Sequence, residues 1–436
     1  MLSFLFSKTP LLFFAQSLWR DEAFSYFLAK KNILEIIFLS AKDYNPPLYY
    51  ILLHFWMKIF GSSEIALRSL SLVFYWATIY IIFLFLTKIF KIKEKLLLIL
   101  SLMVFIFNPL FLYYAFEART YTLFAFFSLW SSYAFLKENK KQYLLASFLG
   151  LFTHYFMIFI FFSQILTYLL FKKKFKKIQL RFFFYQGAFL ILWIFFVFLQ
   201  KGKSIGDDFW IKKPDFFIIK NFLGILFTGF EKYFGFSYKK MGYLSLFLIF
   251  LIIFGFFIKK NSKKPVFFYL FFNGVFIPLL VALISYLKPI FLPRYLISFL
   301  ILMLLLLVFI INHIQRKVIA ILIVFALLFF SFDYQKLQIK FRKKSNYKKL
   351  YQEIKALAKK EDFVYVTSEL DYFIAGYYFD INRVKIFNKS YEEIPNYVGK
   401  VLIPKEAITF SLPLYPKKAF IVESDSYSIQ AVFLKD

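Results

Sequence analysis

Long apolar runs recur along the first three quarters of the chain and restrict its possible folds more than any other feature. Two of them are LSLFLIFLIIFGFFI, from Leu244 to Ile258, and SFLILMLLLLVFIIN, from Ser298 to Asn312. About 20 apolar residues span a bilayer as a helix. In lipid, only helices and closed barrels satisfy their backbone polar groups, and these runs lack the alternating period of barrel strands. The sequence therefore predicts an α-helical polytopic membrane protein.

Short basic turns separate the apolar runs and predict the topology. Lys and Arg accumulate in cytoplasmic loops, so we expect these turns to lie inside. They are Lys88–Lys95, Lys137–Lys141, Lys172–Arg181, Lys259–Lys264 and Arg316–Lys317. An even number of crossings must join consecutive inside turns, and a helical hairpin within Tyr143–Phe171 satisfies this rule with its tip near His154, toward the outer side. The total is about 11 membrane helices.

The predicted single crossings are about Leu96–Tyr113, Tyr121–Leu136, Phe182–Leu199, Tyr243–Ile258 and Val318–Phe332.

The N-terminal region is less regular. Lys8 and Pro10 interrupt the first run, Met1–Leu18, which fits either a short first membrane helix or a signal peptide. The segment Ala23–Ser40 is too polar to span and is typical of a helix that lies in the membrane interface.

The composition changes after residue 332. The last 104 residues hold 13 of the 25 acidic residues, and the long apolar runs stop. Tyr347–Lys360 has the pattern of an amphipathic helix. Strand patterns are found in Phe363–Thr367, Val384–Phe387, Ala419–Val422 and Ile429–Leu434. We therefore expect a transmembrane domain in 1–332, with interfacial helices in the first outer loop at about 20–60, and a small extracytoplasmic α/β domain in 333–436.

The formal net charge of +30 raises the question of nucleic-acid binding. The Lys and Arg residues lie mostly in the short turns, as expected for a membrane protein, which argues against nucleic acid as a partner.

The chain has no Cys and only three His, far apart in sequence. Thiolate metal sites are thereby excluded, and a His-rich site is not expected. A divalent cation held by carboxylate oxygens stays possible in principle.

The acidic residues of the apolar portion are unevenly distributed. Glu94 and Glu138 lie in basic inside turns. The predicted topology puts the others on or near the outer face: Asp21, Glu22, Glu35, Asp43, Glu64, Glu117, Asp207, Asp208, Asp215 and Glu231. Ionisable groups at membrane depth are unfavourable and usually functional, so this asymmetry predicts that the chemistry occurs on the outer face.

Two polar clusters on that face lie near the N-terminus. The first is Trp19-Arg20-Asp21-Glu22, directly after the first run. Adjacent side chains on a helix diverge by about 100 degrees, so Asp21 and Glu22 would perform different tasks. The second cluster is Asp43-Tyr44-Asn45-Pro46-Pro47, in which the prolines fix an extended entry that presents Asp43 and Asn45. A solvated helix cap and a plain helix start are the alternative interpretations.

A third cluster, YYAFEARTY, runs from Tyr113 to Tyr121 at the outer end of a membrane helix. Its Glu117 and Arg119 belong either to a site or to an ion pair in an interfacial tyrosine belt. Arg294, in the stretch LPRY, is either a ligand-binding group or an arginine that snorkels to lipid headgroups. Together the clusters predict a cavity open to lipid, in which Arg binds a phosphate and a carboxylate acts as general base.

Five stretches, in this order and spacing, resemble the GT-C superfamily of polyprenyl-phosphate-sugar-dependent glycosyltransferases. They are SLWRDEAFSYFLA from Ser17, NPPLYYILLHFWMKIFGSSEIALRSLSLVF from Asn45, YYAFEARTYTL from Tyr113, THYFMIFIFFSQ from Thr153 and KPIFLPRYLI from Lys288. The chain is most similar to bacterial enzymes related to protein mannosyltransferases and lipid A aminoarabinose transferases. The trailing soluble domain also matches, so the resemblance covers nearly the whole chain.

The resemblance implies that residues 1–332 form a catalytic domain that transfers a sugar, with inversion, from a polyprenyl phosphate to an acceptor hydroxyl. Asp21 would be the general base, and Glu22 would orient the acceptor or support Asp21. Arg119 and Arg294 would bind the departing phosphate, with Arg68 as a weaker candidate. The site would be lined by Asp43, Asn45, Tyr113, Tyr114, Glu117, Tyr121, His154 and Tyr295.

The chain departs from the family at Asn45. Many relatives carry His or Lys just before the Pro-Pro pair, and without that cation a phosphate contact from this position loses its support.

The resemblance does not identify the sugar, and the acceptor is a protein, lipid A, another glycolipid or a cell-wall polymer. Two other classes compete: a lipid-sugar flippase or transporter, and a non-catalytic envelope protein of the same fold. The expected location in every case is the inner or plasma membrane, among membrane lipids.

Overall fold

The structure is a computed structural model that describes residues 7–201, 210–229, 238–257 and 264–433. The chain forms two compact units. The first comprises Met1–Leu12, Arg68–Phe196 and Ile211–Arg342, and the second comprises Phe13–Leu67, Val197–Trp210 and Lys343–Asp436. The predicted outer-face residues Asp207, Asp208 and Glu231, and most of the basic turn Lys259–Lys264, lie outside the described residues.

The first unit is built from apolar helices, two of which, Glu64–Leu84 and Leu180–Lys201, include at one end residues of the second unit. In chain order they are Glu64–Leu84, continued by the π-helical turn Phe85–Ile89, then Lys95–Ile106, Pro109–Ala115, Tyr121–Leu136, Lys140–Leu151, Met157–Leu170, Leu180–Lys201, Phe216–Lys220, Phe222–Thr228, Tyr238–Phe256, Lys264–Phe271, Phe272–Phe276 (π-helical), Ile277–Ile284, Pro293–Leu296 (3-10), Ile297–Asn312 and Lys317–Phe341. Large apolar side chains such as Phe184, Ile191 and Leu199 are exposed on one of these helices. Exposed apolar surface on this scale is typical of helices that face lipid.

Five helices among the described residues are long and apolar enough to cross a membrane: Glu64–Ile89, Leu180–Gln200, Lys264–Ile284, Pro293–Asn312 and Lys317–Phe341. A bent pair, Lys95–Ile106 and Pro109–Ala115, counts as a sixth if it is one span. Shorter apolar helices add to them, among them Tyr121–Leu136. The prediction of an α-helical polytopic membrane protein is confirmed. The total of about 11 spans stays a prediction.

The predicted hairpin between Tyr143 and Phe171 is present. Its two helices are Lys140–Leu151 and Met157–Leu170, and His154 lies in the turn between them. The threonine that precedes the histidine fixes this turn, since Thr120 Oγ1 donates to the carbonyl of Thr153 at 2.9 Å.

The predicted crossing Leu96–Tyr113 is not one straight helix. The segment forms two helices, Lys95–Ile106 and Pro109–Ala115, bent by 60° at the break. Pro109 cannot donate a backbone hydrogen bond and its ring obstructs the preceding turn, so the first helix ends before it. The Asn108 side chain starts the second helix by accepting from Phe111 N at 3.0 Å, and its amide donates to the carbonyl of Phe227 at 2.9 Å.

The helix Ile297–Asn312 forms the centre of the first unit, and every residue from Ile297 to Ile311 is buried. A π-helical segment approaches its backbone closely at Gly274. A Cβ on Gly274 would lie 2.6 Å from Met303 Cα, so only glycine permits this contact without displacement.

Buried hydroxyl and amide groups join the helices of this unit. Ser128 donates to Ser298 at 2.7 Å, Ser131 and Ser147 share a hydrogen bond of 2.7 Å, and Gln164 donates to Ser131 at 2.8 Å. Lipid tails are as apolar as the helix surfaces, so packing and polar contacts of this kind specify which helices associate.

The second unit contains an N-terminal helical segment and a small α/β domain. The helices are Arg20–Ala29, Ile33–Lys42, Leu48–Phe60, Tyr347–Leu357 and Tyr372–Tyr378, and short 3-10 turns connect the later elements. The first run, Met1–Leu18, for which the sequence allowed a short membrane helix or a signal peptide, contains the four-residue helix Leu12–Ala15 in its described part.

The predicted single interfacial helix over Ala23–Ser40 is wrong, because two helices occupy this segment. Asn32 begins the second one: its side chain accepts from Glu35 N at 2.9 Å, and the Glu35 carboxylate accepts from Asn32 N at 3.1 Å. This reciprocal capping box starts a new helix and separates it from Arg20–Ala29.

A five-stranded sheet forms the centre of the α/β domain. The strands are β1 (Phe363–Val366), β2 (Val384–Phe387), β3 (Ile408–Thr409), β4 (Ala419–Glu423) and β5 (Ser426–Gln430), in the spatial order β3-β2-β1-β4-β5. β1 pairs in parallel with β2 and β4, with Val364 opposite Val384 and Phe420. β5 is antiparallel to β4. The predicted small α/β domain is confirmed.

The last strand lies earlier than predicted. The sequence pattern indicated Ile429–Leu434, but β5 is Ser426–Gln430. Ser424 adopts a positive φ of 57°, which forms a tight turn directly after β4 and brings β5 back beside it. Leu434 lies outside the described residues.

The α/β domain is not an isolated C-terminal module. The predicted boundary after residue 332 falls within the helix Lys317–Phe341, and the second unit takes up the chain again from Lys343. Within this unit the helix Arg20–Ala29 packs on Tyr372–Tyr378, with ring centroids 5.6 Å apart for Phe24 and Phe373.

We expect Asn108→Ala to destabilise the protein by about 1–3 kcal/mol, because it removes a helix cap and leaves the buried carbonyl of Phe227 without its donor. Asn139→Ala is the matched control, since Asn139 also caps a helix, through Gln142 N, but at an exposed site. Thermal unfolding in detergent measures both. A loss for Asn108→Ala no larger than for Asn139→Ala would contradict the bridging role of Asn108.

Candidate active site

Glu22 is the buried member of the motif Trp19-Arg20-Asp21-Glu22, and its side chain has no exposed surface. One carboxylate oxygen accepts from Trp19 N at 2.7 Å and pairs with Lys344 Nζ at 2.8 Å. The Lys344 side chain is itself only 6% exposed. Glu22 also lies in the first turn of Arg20–Ala29, where the positive end of the helix dipole favours an anion. The carboxylate is therefore held by the backbone, by the helix and by a buried cation.

Arg20 and Asp21 lie in the same helical turn as Glu22, but their side chains have different surroundings. Arg20 Nε pairs with Asp371 Oδ1 at 3.0 Å, and the Asp371 side chain is almost fully buried. Burial raises the pKa of Asp371, Arg20 opposes this shift, and the charge of Glu369 adds to it. Asp21 is partly exposed, and its backbone carbonyl accepts from Ser25 at 2.8 Å. Asp21 is thus the more accessible carboxylate of the motif.

The chain just before the motif is fixed by the α/β domain. Leu18 N donates to the Tyr378 hydroxyl at 2.8 Å, and Lys348 N donates to Ser17 Oγ at 3.2 Å. The Tyr378 hydroxyl donates in turn to Glu64 at 3.2 Å. These bonds hold the entry to the helix Arg20–Ala29 at a defined position.

Asp43 and Asn45 form a local turn before the helix Leu48–Phe60. The Asn45 amide donates to the Asp43 carboxylate at 2.6 Å and to the Asp43 carbonyl at 3.1 Å. Tyr44, between them, has a positive φ of 53°. The Asn45 side chain therefore stabilises this turn.

In the first unit, rings from separate motifs form one cluster. Tyr113 contacts Tyr114 with centroids 5.2 Å apart, and Tyr114 contacts Tyr121 at 4.8 Å. Tyr121 lies 6.3 Å from Tyr295, and His154 lies 5.3 Å from Tyr295. We call these five residues the aromatic cluster. The structure thus brings together the predicted lining residues of three motifs.

Arg119 and Glu117 lie in the short turn between Pro109–Ala115 and Tyr121–Leu136. Arg119 N donates to the Glu117 carbonyl at 2.8 Å, and Ser71 donates to the Arg119 carbonyl at 3.3 Å. Glu117 is buried. Arg68, one helical turn before Ser71, is fully buried at 0% exposure, a placement typical of a packing residue.

Arg294 is held in the 3-10 turn Pro293–Leu296, and its guanidinium carbon lies 5.9 Å from the Tyr295 ring centroid. Pro293 starts this turn because its fixed φ suits the first position of a helix. The aromatic cluster therefore has an arginine beside its Tyr295 end.

Sequence reasoning missed a further arginine of this unit, Arg342. Its guanidinium lies 4.4 Å from the Tyr113 ring centroid and donates to the carbonyl of Gly229 at 2.9 Å. Both contacts are typical of arginine, which stacks on aromatic faces and donates in a planar fork. The only sequence signal was a single Arg among Lys residues in FRKK, and that stretch was assigned to the soluble domain.

His154 is neutral under ordinary conditions. Burial lowers the pKa of His154 to about 3, and the positive charge of Arg119 contributes to this shift. The ring stacks on Phe124 with centroids 4.8 Å apart, and Nδ1 accepts from Phe156 N at 3.2 Å. His154 is therefore placed to pack and to accept a hydrogen bond.

Among the described residues, no group of three or more His, Asp or Glu side chains converges as a metal site would require. Asp21, Glu22 and Asp43 are the carboxylates of the two N-terminal clusters. The Glu22 carboxylate instead pairs with Lys344, and Asp43 bonds to Asn45.

The predicted site residues therefore fall into two sets. Asp21, Glu22, Asp43 and Asn45 belong to the second unit. Arg68, Glu117, Arg119, Arg294 and the aromatic cluster belong to the first unit. The partners of the motif in the α/β domain, Lys344, Asp371 and Tyr378, carried no recognisable signal in the sequence.

Comparison with known proteins bears on the class of this protein. Residues 44–200 match the family model of the dolichyl-phosphate-mannose-protein mannosyltransferases. The crystal structure of ArnT from Cupriavidus metallidurans in the apo state matches with a TM-score of 0.62 and 7% sequence identity, over 92% of this chain and 87% of that one. No curated protein sequence matches the chain.

The structural likeness, at this low identity, concerns the fold, and the family match concerns the sequence of the first helices. The chain is therefore a membrane protein with an ArnT-like fold, and residues 44–200 are similar in sequence to a mannosyltransferase family. The resemblance to the GT-C superfamily carried by the five sequence stretches agrees with both comparisons.

The lowered pKa of His154 predicts a pH dependence of stability. The unfolded chain protonates this histidine near its ordinary pKa of 6.5, whereas the folded protein does so only near about 3. The unfolded state therefore binds more protons in this window, and stability falls as the pH is lowered through it. We expect His154→Gln to lose less stability between roughly pH 7 and pH 4 than the parent, as measured by unfolding midpoints in detergent. Parallel pH dependence of the two proteins would contradict this assignment.

Proposed function

We propose that this protein transfers a sugar from a polyprenyl-phosphate donor to an acceptor hydroxyl, with inversion, on the extracytoplasmic face of the inner or plasma membrane. The observation that carries the proposal is the convergence of the 113–121 and 292–295 motifs on the aromatic cluster. This convergence brings the turns that carry Arg119 and Arg294 to the same part of the first unit. The matched family uses a lipid-phosphate sugar by its name, which supports the donor class.

The donor side of the proposal rests on the arginines. Arg119 and Arg294 would bind the phosphate, since guanidinium groups donate two parallel hydrogen bonds to phosphate oxygens. Glu117 would position Arg119, and the Tyr rings of the aromatic cluster would line the site. Burial and the positive charge of Arg119 both lower the pKa of His154, a ring of the aromatic cluster.

The acceptor side of the proposal rests on the Asp21-Glu22 pair. Asp21 is partly exposed, whereas Glu22 is buried and bound to Lys344 and to the backbone. Of the two tasks open to Glu22, support of Asp21 is therefore favoured over contact with the acceptor. Asp21 would be the general base.

The reaction would proceed as a single displacement. The Asp21 carboxylate takes the proton of the acceptor hydroxyl, and the acceptor oxygen bonds to the anomeric carbon on the face opposite the phosphate. The bond between that carbon and the phosphate oxygen breaks, and the electron pair leaves with the polyprenyl phosphate. Preorganised arginines stabilise the charge that develops on this leaving group.

The proposed side of the membrane is based on the distribution of charge. The basic turns are expected inside, and the acidic residues of the apolar portion are concentrated in the loops of opposite orientation. The polyprenyl tail would remain in the bilayer beside the exposed apolar helix faces. The acceptor would be a protein, lipid A, another glycolipid or a cell-wall polymer, and the assay below identifies it together with the sugar.

We expect Asp21→Asn to lower kcat for sugar transfer by about 10²–10⁴-fold, because the amide cannot accept the proton of the acceptor. The assay uses purified protein in lipid, membrane extract as acceptor source and a panel of labelled polyprenyl-phosphate sugars. Glu35→Gln is the control, since Glu35 is also a first-turn carboxylate of the second unit.

The outcomes of this assay separate the classes. Transfer by the parent with inverted configuration, and its loss in Asp21→Asn alone, supports the proposal. Specific binding with every lipid-sugar left intact would instead favour a flippase or a binding protein. Activity that survives in Asp21→Asn would remove the assignment of the base.

We expect Arg294→Gln and Arg119→Gln to weaken both donor binding and turnover, with kcat/KM for the donor lowered by about 10²-fold or more. Arg181→Gln is the matched control, because the Arg181 guanidinium also lies over its neighbouring ring, 5.6 Å from the Phe182 centroid, in a predicted inside turn. Steady-state kinetics with a short-chain donor measures the effect. An unchanged donor KM and kcat in Arg294→Gln would exclude that residue from the donor site.

A further inference from the structure

The motif Arg20-Asp21-Glu22 is surrounded by residues that follow it by more than 300 positions in the chain. Lys344 pairs with Glu22 across 322 positions, and Asp371 pairs with Arg20 across 351. Both contacts lie within the second unit. The charged residue on each side of Asp21 therefore has an oppositely charged partner in the α/β domain.

The Lys344–Glu22 contact is the more strongly buried of the two. The Glu22 side chain is 0% exposed and the Lys344 side chain 6% exposed, at 2.8 Å. Loss of one partner of such a pair leaves an uncompensated buried charge, which is strongly destabilising at that place. The Glu22 carboxylate also accepts from Trp19 N, so a displaced Glu22 would release the start of the helix.

The Asp371–Arg20 contact holds the other side. Arg20 Nε donates to Asp371 at 3.0 Å, and the guanidinium lies 5.5 Å from the Trp19 ring centroid. Leu18 N bonds to Tyr378, as described above. Side-chain and backbone contacts therefore fix the residues on both sides of Asp21.

We propose that Lys344 and Asp371 are positioning residues for Asp21, so that the α/β domain is a working part of the catalytic centre. The proposal rests on the proposed function of Asp21 as the base. Neither residue touches the reacting atoms in this role. Each holds a neighbour of Asp21, so that the Asp21 carboxylate keeps the orientation from which it takes the acceptor proton.

The position of the base matters more for turnover than for donor binding. Displacement of a catalytic group by about 1 Å lowers turnover by about 10²-fold, because reacting atoms must be aligned before reaction. The proposed donor-binding arginines belong to the first unit. Loss of Lys344 is therefore expected to lower kcat and to leave the donor KM almost unchanged. A general loss of folded structure would change both.

The test uses the full-length protein in lipid with the donor that the parent turns over. Lys344→Met removes the cation and keeps an unbranched side chain of similar length, and Lys344→Arg keeps the charge. Lys343→Met is the matched control, because Lys343 is the exposed neighbour in the chain. Asp371→Asn keeps an oxygen that accepts from Arg20 and removes the charge.

We expect Lys344→Met to lower kcat by about tenfold or more with donor KM within about twofold of the parent. Lys344→Arg should recover most of the turnover, and Lys343→Met should match the parent. Asp371→Asn should lose several-fold in kcat, again with donor KM preserved. Thermal unfolding confirms that each compared variant is folded.

A folded Lys344→Met with parental kcat would overturn the proposal, as would equal losses in Lys343→Met and Lys344→Met. If Lys344→Met does not fold, Asp371→Asn decides: reduced kcat at constant donor KM supports the positioning role, and parental kcat refutes it. If the parent protein turns over no donor, the proposed function itself is refuted. The activity of the parent protein therefore tests the proposed function, and the comparison of variants tests the positioning role.

Discussion

The ion pair between Glu22 and Lys344 is the contact on which the order of the candidate catalytic motif depends. Both side chains are buried, and breaking a buried pair costs about 3–5 kcal/mol. The pair also gives a reason for the adjacent Asp21-Glu22 carboxylates. The helix directs one carboxylate inward, where Lys344 and the backbone hold it, and leaves the next one partly exposed.

The same ion pair changes the role that can be assigned to the C-terminal α/β domain. A soluble domain that follows a membrane domain is readily assigned to recognition of the acceptor. Here its residues bind the N-terminal motif directly, so removal of residues 333–436 would remove the partners of Glu22 and Arg20 together with any recognition surface. Loss of activity in a truncated protein would therefore not demonstrate acceptor recognition.

The first unit depends on a different constraint, the satisfaction of polar groups among apolar helices. Asn108 caps one helix and bonds to the carbonyl of Phe227, and the serine and glutamine hydrogen bonds join helices whose apolar surfaces alone would not choose partners. Around the aromatic cluster, arginine lies over tyrosine, which lowers the penalty of keeping a cation beside apolar rings. A fold maintained by such patterns tolerates wide sequence change, which is consistent with a TM-score of 0.62 at 7% identity.

Local sequence patterns predicted the class of fold, the hairpin around His154 and three of the strands to within a residue or two. They also identified the candidate site residues to be tested by mutation. Each of these depends on hydrophobic period or on neighbours in sequence. Helix caps determine two other features, the break at Asn108-Pro109 and the start of the second helix at Asn32. The capping residues are visible in the sequence, but the prediction gave more weight to hydropathy.

Only the tertiary structure decided the partners of the motif. Lys344 is one lysine in the run FRKK, and nothing in that run distinguishes the buried Lys344 from the exposed Lys343. Asp371 and Tyr378 are likewise ordinary residues of a helical segment. Their roles depend on contacts across more than 300 positions, and hydrophobic periodicity carries no information about which distant side chains will meet. Hydrophobic and charge patterns in the sequence therefore establish the class of fold and the regions where charges cluster, whereas long-range packing establishes which of those charges pair with one another.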